Sequence, residues 1–159
     1  MPRTFIEPCH PTIRDRPPIA KGWLHEVKFD GYRVQLHKSP EGGAVVYSRT
    51  GVTFTSRFPS FASALNTLPA KSAIIDGELV AHNAKGMPAF YALHLRRAPP
   101  EHLVVWAFDL LDLDGHDLRH LALATRRARL ERLIAKADHP QPATVGDVQR
   151  PDQATRSLQ

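Results

Sequence analysis

The sequence predicts an α+β fold built from mainly antiparallel sheets with helices flanking them. Strand-like segments outnumber helical ones, and glycine- and proline-rich turn residues join two of the strands as a hairpin. Two other segments place apolar residues at helical spacing. With 159 residues, 42% of them hydrophobic, the chain is long enough for one domain with a core and too short for two.

The first two predicted strands cover residues 23–29 and 33–38. The second alternates apolar with polar residues, and Arg33, Gln35 and His37 fall on the same side. Since polar side chains usually face water, we expect this strand to be only half buried, with those three residues outward.

Later strands follow at regular intervals. Residues 40–43, Pro-Glu-Gly-Gly, form a turn, and residues 44–49 complete the hairpin. Residues 73–82 are predicted as two strand segments hinged at Asp76-Gly77. Residues 103–111 are almost continuously apolar, which predicts a buried, central strand.

Helices are predicted in two places. The first begins near Pro59, places Phe61 and Leu65 at helical spacing, and stops at Pro69. The second covers residues 121–137. Its apolar side is predicted to hold Ala124, Ala128, Leu130, Leu133, Ile134 and Ala137, with Arg126, Arg127, Arg129, Glu131 and Arg132 mostly on the other side.

Domain organisation follows from where these patterns begin and end. Residues 1–22 contain five prolines and few periodic apolar positions, so we expect an extended lead-in that packs on the domain. Residues 23–138 form the predicted domain. Residues 139–159 carry no periodicity and are expected to be a disordered tail.

Composition narrows the class of function. The net charge of +5 favours polyanionic partners such as nucleic acid. A single cysteine, Cys9, excludes an internal disulfide and fits a reducing, cytoplasmic setting. The longest apolar run, residues 103–108, is far shorter than the roughly 20 residues of a membrane span, so no membrane partner is expected.

No metal site is predicted from the protein side chains alone. The nine histidines lack a metal-ligand spacing. Residues 112–115 resemble the start of a calcium loop, but Leu123 stands where the bidentate glutamate belongs.

The segment with the strongest chemical content is Glu26-Val27-Lys28-Phe29-Asp30-Gly31-Tyr32-Arg33. Glu26, Lys28 and Asp30 should share a face, beside a glycine that permits tight backbone geometry. A lysine acts as a covalent nucleophile when burial or nearby cations lower its pKa. Taken alone, the segment is more typical of an ordinary turn and a solvated lysine.

Four motifs in order change that interpretation, because together they resemble the covalent nucleotidyltransferases: ATP-dependent DNA ligases, RNA ligases and messenger-RNA capping enzymes. The resemblance covers about residues 4–137 and is strongest to bacterial end-joining ligases of the D type. The motifs are Lys28-Phe29-Asp30-Gly31-Tyr32-Arg33, Ser48-Arg49-Thr50-Gly51, Asp76-Gly77-Glu78-Leu79 and Phe108-Asp109-Leu110-Leu111. Outside these motifs, residues 5–8, 23–26 and 113–118 also resemble the sequences of D-type ligases.

The resemblance implies an ATP-grasp-like covalent nucleotidyltransferase fold, with ATP and Mg²⁺ as cofactors. It also implies nicked or broken double-stranded DNA as substrate, other end-joining repair proteins as partners, and a location at the bacterial nucleoid. Carried over residue by residue, Lys28 attacks the α-phosphate of ATP, Glu26 contacts the adenine edge, Arg33 and Arg49 hold the ribose and phosphates, Glu78 binds a ribose hydroxyl, and Phe108 stacks on adenine.

The sequence also departs from the family. The Glu-Gly and Lys-x-Lys motifs expected after Leu130 do not occur, and neither does the oligonucleotide-binding domain that follows them. We therefore interpret the chain as a C-terminally truncated, partial adenylation domain. Two alternatives stay open: a catalytically defective nucleotide- or DNA-binding remnant, and an RNA ligase or capping-type enzyme. Arg49 could simply end a strand, Glu78 flank a turn, and Phe108 belong to the core.

Overall fold

A computed structural model describes residues 4–16, 18–19, 28–95, 102–137 and 144–145. Within them lie β1 (Tyr32–Lys38), β2 (Ala44–Ser48), α1 (Pro59–Asn66), β3 (Ala73–Ala81), α2 (Phe90–His94), β4 (Leu103–Leu113), β5 (His116–Asp117), α3 (Leu123–Ala135) and β6 (Thr144–Val145). The strands form one sheet in the order β2-β1-β3-β4-β5, with β6 beside β4. Every pairing except β4 with β6 is antiparallel, which confirms the predicted α+β fold.

One face of the sheet carries the hydrophobic core, and we call the opposite face the outer face. Val34 and Leu36 of β1 enter the core together with Phe61 and Leu65 of α1. The predicted hairpin is confirmed, with Gly42 in the turn at a φ of 85° that favours glycine. Among the described helices, none is long and apolar enough to cross a bilayer.

The expectation that β1 is half buried is wrong. Gln35 is only 1% exposed and His37 only 6% exposed, although both lie on the outer face. The lead-in covers Gln35: the Ile6 amide donates to Gln35 Oε1 at 2.9 Å, and Gln35 Nε2 donates to the Ile6 carbonyl at 3.0 Å. His37 packs against Gln35 and Tyr47. The alternation of polar and apolar residues within β1 could not predict burial by a segment about thirty residues away in the sequence.

The expected hinge at Asp76-Gly77 is also wrong, because β3 runs unbroken through that position. The irregularity lies in the neighbouring strand, where Phe108 and Leu111 of β4 are extra residues opposite the continuous β3. These two bulges change the spacing of the core-facing residues. The residues of β4 that face the core or pack against it are Leu103, Val105, Ala107, Leu110 and Leu113.

Both predicted helices are present, and α1 begins at Pro59 as expected. The face assignment in α3 is partly wrong. Arg127 is buried and Arg126 is half-buried against β4, whereas Ala124 is exposed. The buried stripe is therefore centred on Leu130 and Leu133 and includes two arginines whose partners lie on β4. Helix α2 was not predicted.

Several sequence predictions fall on residues outside the described ranges. Of the predicted strand at 23–29, only Lys28 and Phe29 are described, and they are not in a strand. Of the predicted tail, only Thr144–Val145 is described, as β6. The described part of the lead-in contains no helix or strand. The domain boundaries stay predictions.

Candidate active site

A cleft of about 880 Å³ opens beside β1, β3 and β4. It brings together five of the six residues singled out in the sequence: Lys28, Arg33, Arg49, Glu78 and Phe108. The sixth, Glu26, lies outside the described residues.

Lys28 stands exposed at the cleft, three residues before Gly31, where the backbone comes close to β3. A Cβ atom on Gly31 would overlap the carbonyl oxygen of Leu79, so only glycine lets the chain enter β1 this close to β3. The Gly31 amide donates to Glu78 Oε1 at 3.2 Å. Glycine and hydrogen bond together fix the position of the lysine loop relative to β3.

Glu78 is half-buried on β3, directly opposite Arg33 in the β1–β3 register. Burial raises the pKa of its carboxyl group, while the Gly31 amide and the charges of Arg33 and Lys28 act in the opposite direction. Nearby Asp30 adds to the rise. Glu78 is thus a carboxylate held among cations but away from bulk water.

Arg33 of β1 forms a two-point ion pair with Asp76 of the neighbouring β3, with Nε donating to Oδ1 at 3.2 Å and Nη2 to Oδ2 at 2.7 Å. Its Nη1 donates to the Cys9 carbonyl at 3.3 Å. Its guanidinium carbon lies 5.3 Å from the centre of the Phe108 ring. All three nitrogens are engaged, so in this arrangement Arg33 holds the aromatic wall of the cleft in place.

The Asp76 carboxyl beneath this pair is almost fully buried. Burial raises its pKa, Arg33 acts to lower it, and the charge of cross-strand neighbour Asp109 raises it further. The ion pair therefore offsets only part of the cost of burying the carboxylate.

Arg49 differs from Arg33 because its guanidinium is exposed. It follows the end of β2, and its Nη2 lies 3.1 Å from His10 Nδ1 of the lead-in. Within the described ranges, no carboxylate oxygen lies within 4.0 Å of it. Arg49 is thus a cation at the cleft that an incoming anion can reach.

Phe108 lies in a bulge of β4. It is the extra residue between Ala107 and Asp109, which are opposite Gly77 and Asp76, and its ring lines the cleft. Arg127, buried on α3, donates through Nε to the Phe108 carbonyl at 3.2 Å. The helix thus supplies a donor to the carbonyl of the bulged residue.

Sequence reasoning missed the second half of the aromatic wall. Trp106 also lines the cleft, and its ring stacks on Phe29 at 4.8 Å with 14° between the planes. The signal was present, since Trp106 lies two residues before Phe108 in the same strand. The partnership with Phe29 depends on tertiary structure and left no local pattern.

Sequence reasoning also missed the ion pair between Asp109 and Arg126. Arg126 Nε and Nη2 donate to the two carboxylate oxygens at 2.7 Å each. Because Asp109 lies opposite Asp76, two arginine–aspartate pairs stand side by side on the outer face, one closed by β1 and the other by α3.

The described residues contain no group of three or more histidine, cysteine, aspartate or glutamate side chains that could hold a metal ion. Two carboxylates, Asp30 and Glu78, do line the cleft. Mg²⁺ typically uses one or two carboxylates and completes its shell with phosphate oxygens and water. The side chains present fit that kind of binding, with most ligands coming from a nucleotide.

Known proteins resemble this chain in sequence. Residues 16–159 match the model of the family described as ATP dependent DNA ligase domain. A multifunctional non-homologous end joining protein LigD from Pseudomonas aeruginosa is 35% identical over 136 residues, covering 84% of this chain and 16% of that protein. A probable DNA ligase from Kineococcus radiotolerans is 34% identical over 112 residues, covering 69% of this chain and 22% of the relative.

Solved structures give the same result. A mycobacterial DNA ligase D complexed with ATP and MES superposes with a TM-score of 0.60 at 28% identity, covering 72% of this chain and 37% of the other. The ligase domain of Mycobacterium tuberculosis LigD gives a TM-score of 0.59 at 30% identity, covering 70% and 36% of the two chains. The chain thus spans well under half the length of these relatives, and it belongs to the ATP-dependent DNA ligase domain family.

Proposed function

We propose that this chain carries out the adenylation chemistry of an ATP-dependent DNA ligase, with Lys28 as the nucleophile. Lys28 Nζ, as the free amine, attacks the α-phosphorus of ATP. A phosphorus–nitrogen bond forms, the bond to the pyrophosphate oxygen breaks, and the nitrogen loses a proton. The product is lysyl-AMP on Lys28, with pyrophosphate as the leaving group.

The observation that supports this proposal best is that residues from separate parts of the sequence line the same cleft. Lys28, Arg49, Glu78 and Phe108 come from four separate stretches of sequence, yet all line one cleft. In isolation, each of these residues has an ordinary structural explanation. Their meeting at one cavity provides a nucleophile, a cation, a carboxylate and an aromatic ring together, which is the set that adenylyl transfer needs.

Each residue has a distinct role in the proposal. Phe108 and the neighbouring Trp106 provide flat aromatic surface for the adenine ring. Glu78 provides an acceptor for a ribose hydroxyl. Arg49 is the exposed cation for the phosphates, while Arg33, already bound to Asp76, orients Phe108. The contact between Glu26 and the adenine edge stays a prediction.

Mg²⁺ fits the carboxylates of the cleft and, when bound with ATP, would neutralise charge on the phosphates. Asp30 is the side chain that would hold it, since Glu78 is assigned to the ribose.

The first experiment is intact-protein mass after incubation with ATP and magnesium. Wild type is expected to gain the mass of one AMP, and Lys28→Ala is expected to gain none. Lys85→Ala is the matched control, because Lys85 is an exposed lysine that does not line the cleft, and it should gain AMP like wild type. Lack of any gain in folded wild type would reject adenylation by this chain and favour a nucleotide- or DNA-binding role without chemistry.

The second step would pass AMP to the 5′-phosphate of nicked DNA, and attack by the 3′-hydroxyl would then seal the strand and release AMP. The names of the relatives, non-homologous end joining protein and DNA ligase, support DNA as the substrate and end joining as the process. Partner repair proteins and a place at the bacterial nucleoid stay predictions. Mixing the purified lysyl-AMP protein with nicked DNA or nicked RNA tests which nucleic acid accepts the AMP. AMP transfer to RNA alone would favour an RNA ligase.

A further inference from the structure

A row of four cations runs along one side of α3. Arg126, Arg129, Arg132 and Lys136 are separated by three, three and four residues, which places them one after another on the helix surface. At 1.5 Å per residue the row is about 15 Å long. We call these four residues the basic row.

The first member of the basic row, Arg126, lies close to the cleft. Arg126 is ion-paired with Asp109, the residue that follows Phe108 in β4. Phe108 itself lines the cleft. The basic row therefore starts beside the cleft and continues away from it along the helix.

The other three members are exposed and have no described counter-charge. Arg129, Arg132 and Lys136 all face solvent. Among residues 4–16, 18–19, 28–95, 102–137 and 144–145, no carboxylate oxygen lies within 4.0 Å of them. Like charges three and four residues apart destabilise a helix. The favourable interaction of cations with a helix C-terminus offsets this for Arg132 and Lys136 in the last turn, and less for Arg129 near the middle.

The rest of the exposed surface of the helix has a different composition. Ala124, Glu131 and Ala135 occupy it, and Arg127 is buried, so the exposed positive charge of α3 lies along one strip. A one-sided row of exposed cations is complementary to a regular polyanion, and duplex DNA carries one phosphate charge per about 1.7 Å of its axis.

We propose that the basic row binds the sugar-phosphate backbone of duplex DNA and leads it to the cleft. This inference rests on the proposed function, since it supplies the path by which the 5′-phosphate of a nick would reach Lys28. The contacts are to phosphates, so binding is expected to depend strongly on salt and little on base sequence.

The test replaces the three exposed members together, as Arg129→Gln, Arg132→Gln and Lys136→Gln, which removes three charges and keeps good helix formers. The matched control removes three exposed charges on other parts of the chain, as Arg16→Gln, Lys71→Gln and Lys85→Gln. Fluorescence anisotropy with a labelled nicked duplex, without ATP, measures binding of each full-length protein over a range of salt concentrations.

The salt slope is the decrease in the logarithm of the binding constant per unit increase in the logarithm of the salt concentration. Wild type and the control are expected to have similar salt slopes. The slope of the α3 variant should be smaller by about 2 to 3, because each phosphate contact contributes about 0.9. Between about 50 and 200 mM salt, wild-type affinity would then fall about forty times more than that of the α3 variant. Equal slopes for wild type and the α3 variant, an equal loss in the control, or no DNA binding by wild type would each overturn the proposal.

Intact mass after ATP and magnesium, measured on the same samples, separates this inference from the proposed function. AMP on wild-type Lys28 together with an unchanged salt slope in the α3 variant would reject the basic row and leave adenylation standing. Far-ultraviolet circular dichroism confirms that α3 is still folded in the variant.

Discussion

The two walls of the cleft are built by different means. On the β1–β3 side, Gly31 lets the two backbones meet closely, and the functional residues follow the regular alternation of the strands. On the β4 side, Phe108 depends on a bulge and on a donor from α3. The first wall is specified by local sequence, whereas the second depends on contacts between distant segments.

The two ion pairs repeat this difference. In the first pair, both Arg33 and Asp76 belong to motifs of the family. In the second pair, Asp109 belongs to a motif but its partner Arg126 lies on a helix that no motif covers. The β1–β3 wall should therefore be disrupted when the spacing of its backbones changes. The β4 wall should be disrupted when the contacts between α3 and β4 are removed.

Gly31→Ala should cause the largest loss. A Cβ atom would overlap the Leu79 carbonyl, and backbone cannot move aside as a flexible side chain can. We expect the free energy of unfolding to fall by about 3 kcal/mol in urea denaturation. Gly43→Ala is the matched control, since its nearest neighbours are Ser39 atoms 3.8 Å away, and it should change little. Equal losses for both variants would contradict the steric explanation.

Removing the aspartates one at a time compares the two ion pairs. Asp109→Asn leaves Arg126, with a side chain only 15% exposed, without its counter-charge, and should cost about 2 kcal/mol. Asp76→Asn should cost less, because burial already raises the pKa of Asp76 and a neutral amide avoids that penalty. Thermal or chemical unfolding at pH 7 measures both, and a larger loss for Asp76→Asn would reverse the ranking.

Arg127→Met tests the hold of α3 on the bulge. The Phe108 carbonyl would lose the Arg127 donor, which should cost about 1 kcal/mol and weaken ATP binding severalfold, because the Phe108 ring is less well held. Isothermal titration calorimetry measures the binding. Arg129→Met, on the exposed side of the same helix, is the control and should bind ATP as wild type does.

Glu78→Gln should produce the smallest effect, visible as a change in pH dependence. Burial raises the folded-state pKa of Glu78 above its ordinary value of 4.5, so the folded state holds the proton more tightly than the unfolded state. Its contribution to stability is present below pH 4.5 and is lost as pH rises through the raised value. The stability of wild type relative to Glu78→Gln should therefore fall with rising pH across this window, and a rise would contradict the assigned direction.

The comparison also explains which parts of the molecule the sequence predicted. The hairpin, α1 and the lysine motif depend on nearby residues, and turn chemistry or periodicity revealed them. The burial of Gln35 depends on the lead-in, and the inward turn of Arg127 depends on β4. Neither contact leaves a periodic trace, because the partner lies elsewhere in the chain.

Within β4, one clue was available. Strict alternation from Leu103 would have put Asp109 among the core residues. An aspartate at that position indicates that the alternation must break before it. The motif singled out Phe108, but the bulge that keeps Asp109 out of the core became visible only in the paired register of β3 and β4.

The two bulges make the outcome of a single-codon deletion in β4 depend on which extra residue is lost. Loss of Phe108 would restore simple alternation and keep Asp109 opposite Asp76 on the outer face, but it would remove a ring that lines the cleft. Loss of Leu111 would instead leave that ring in place and change only the end of the strand. Two deletions three codons apart should thus have different fates in a deletion scan, the first weakening ATP binding in a folded protein and the second mainly altering the turn into β5.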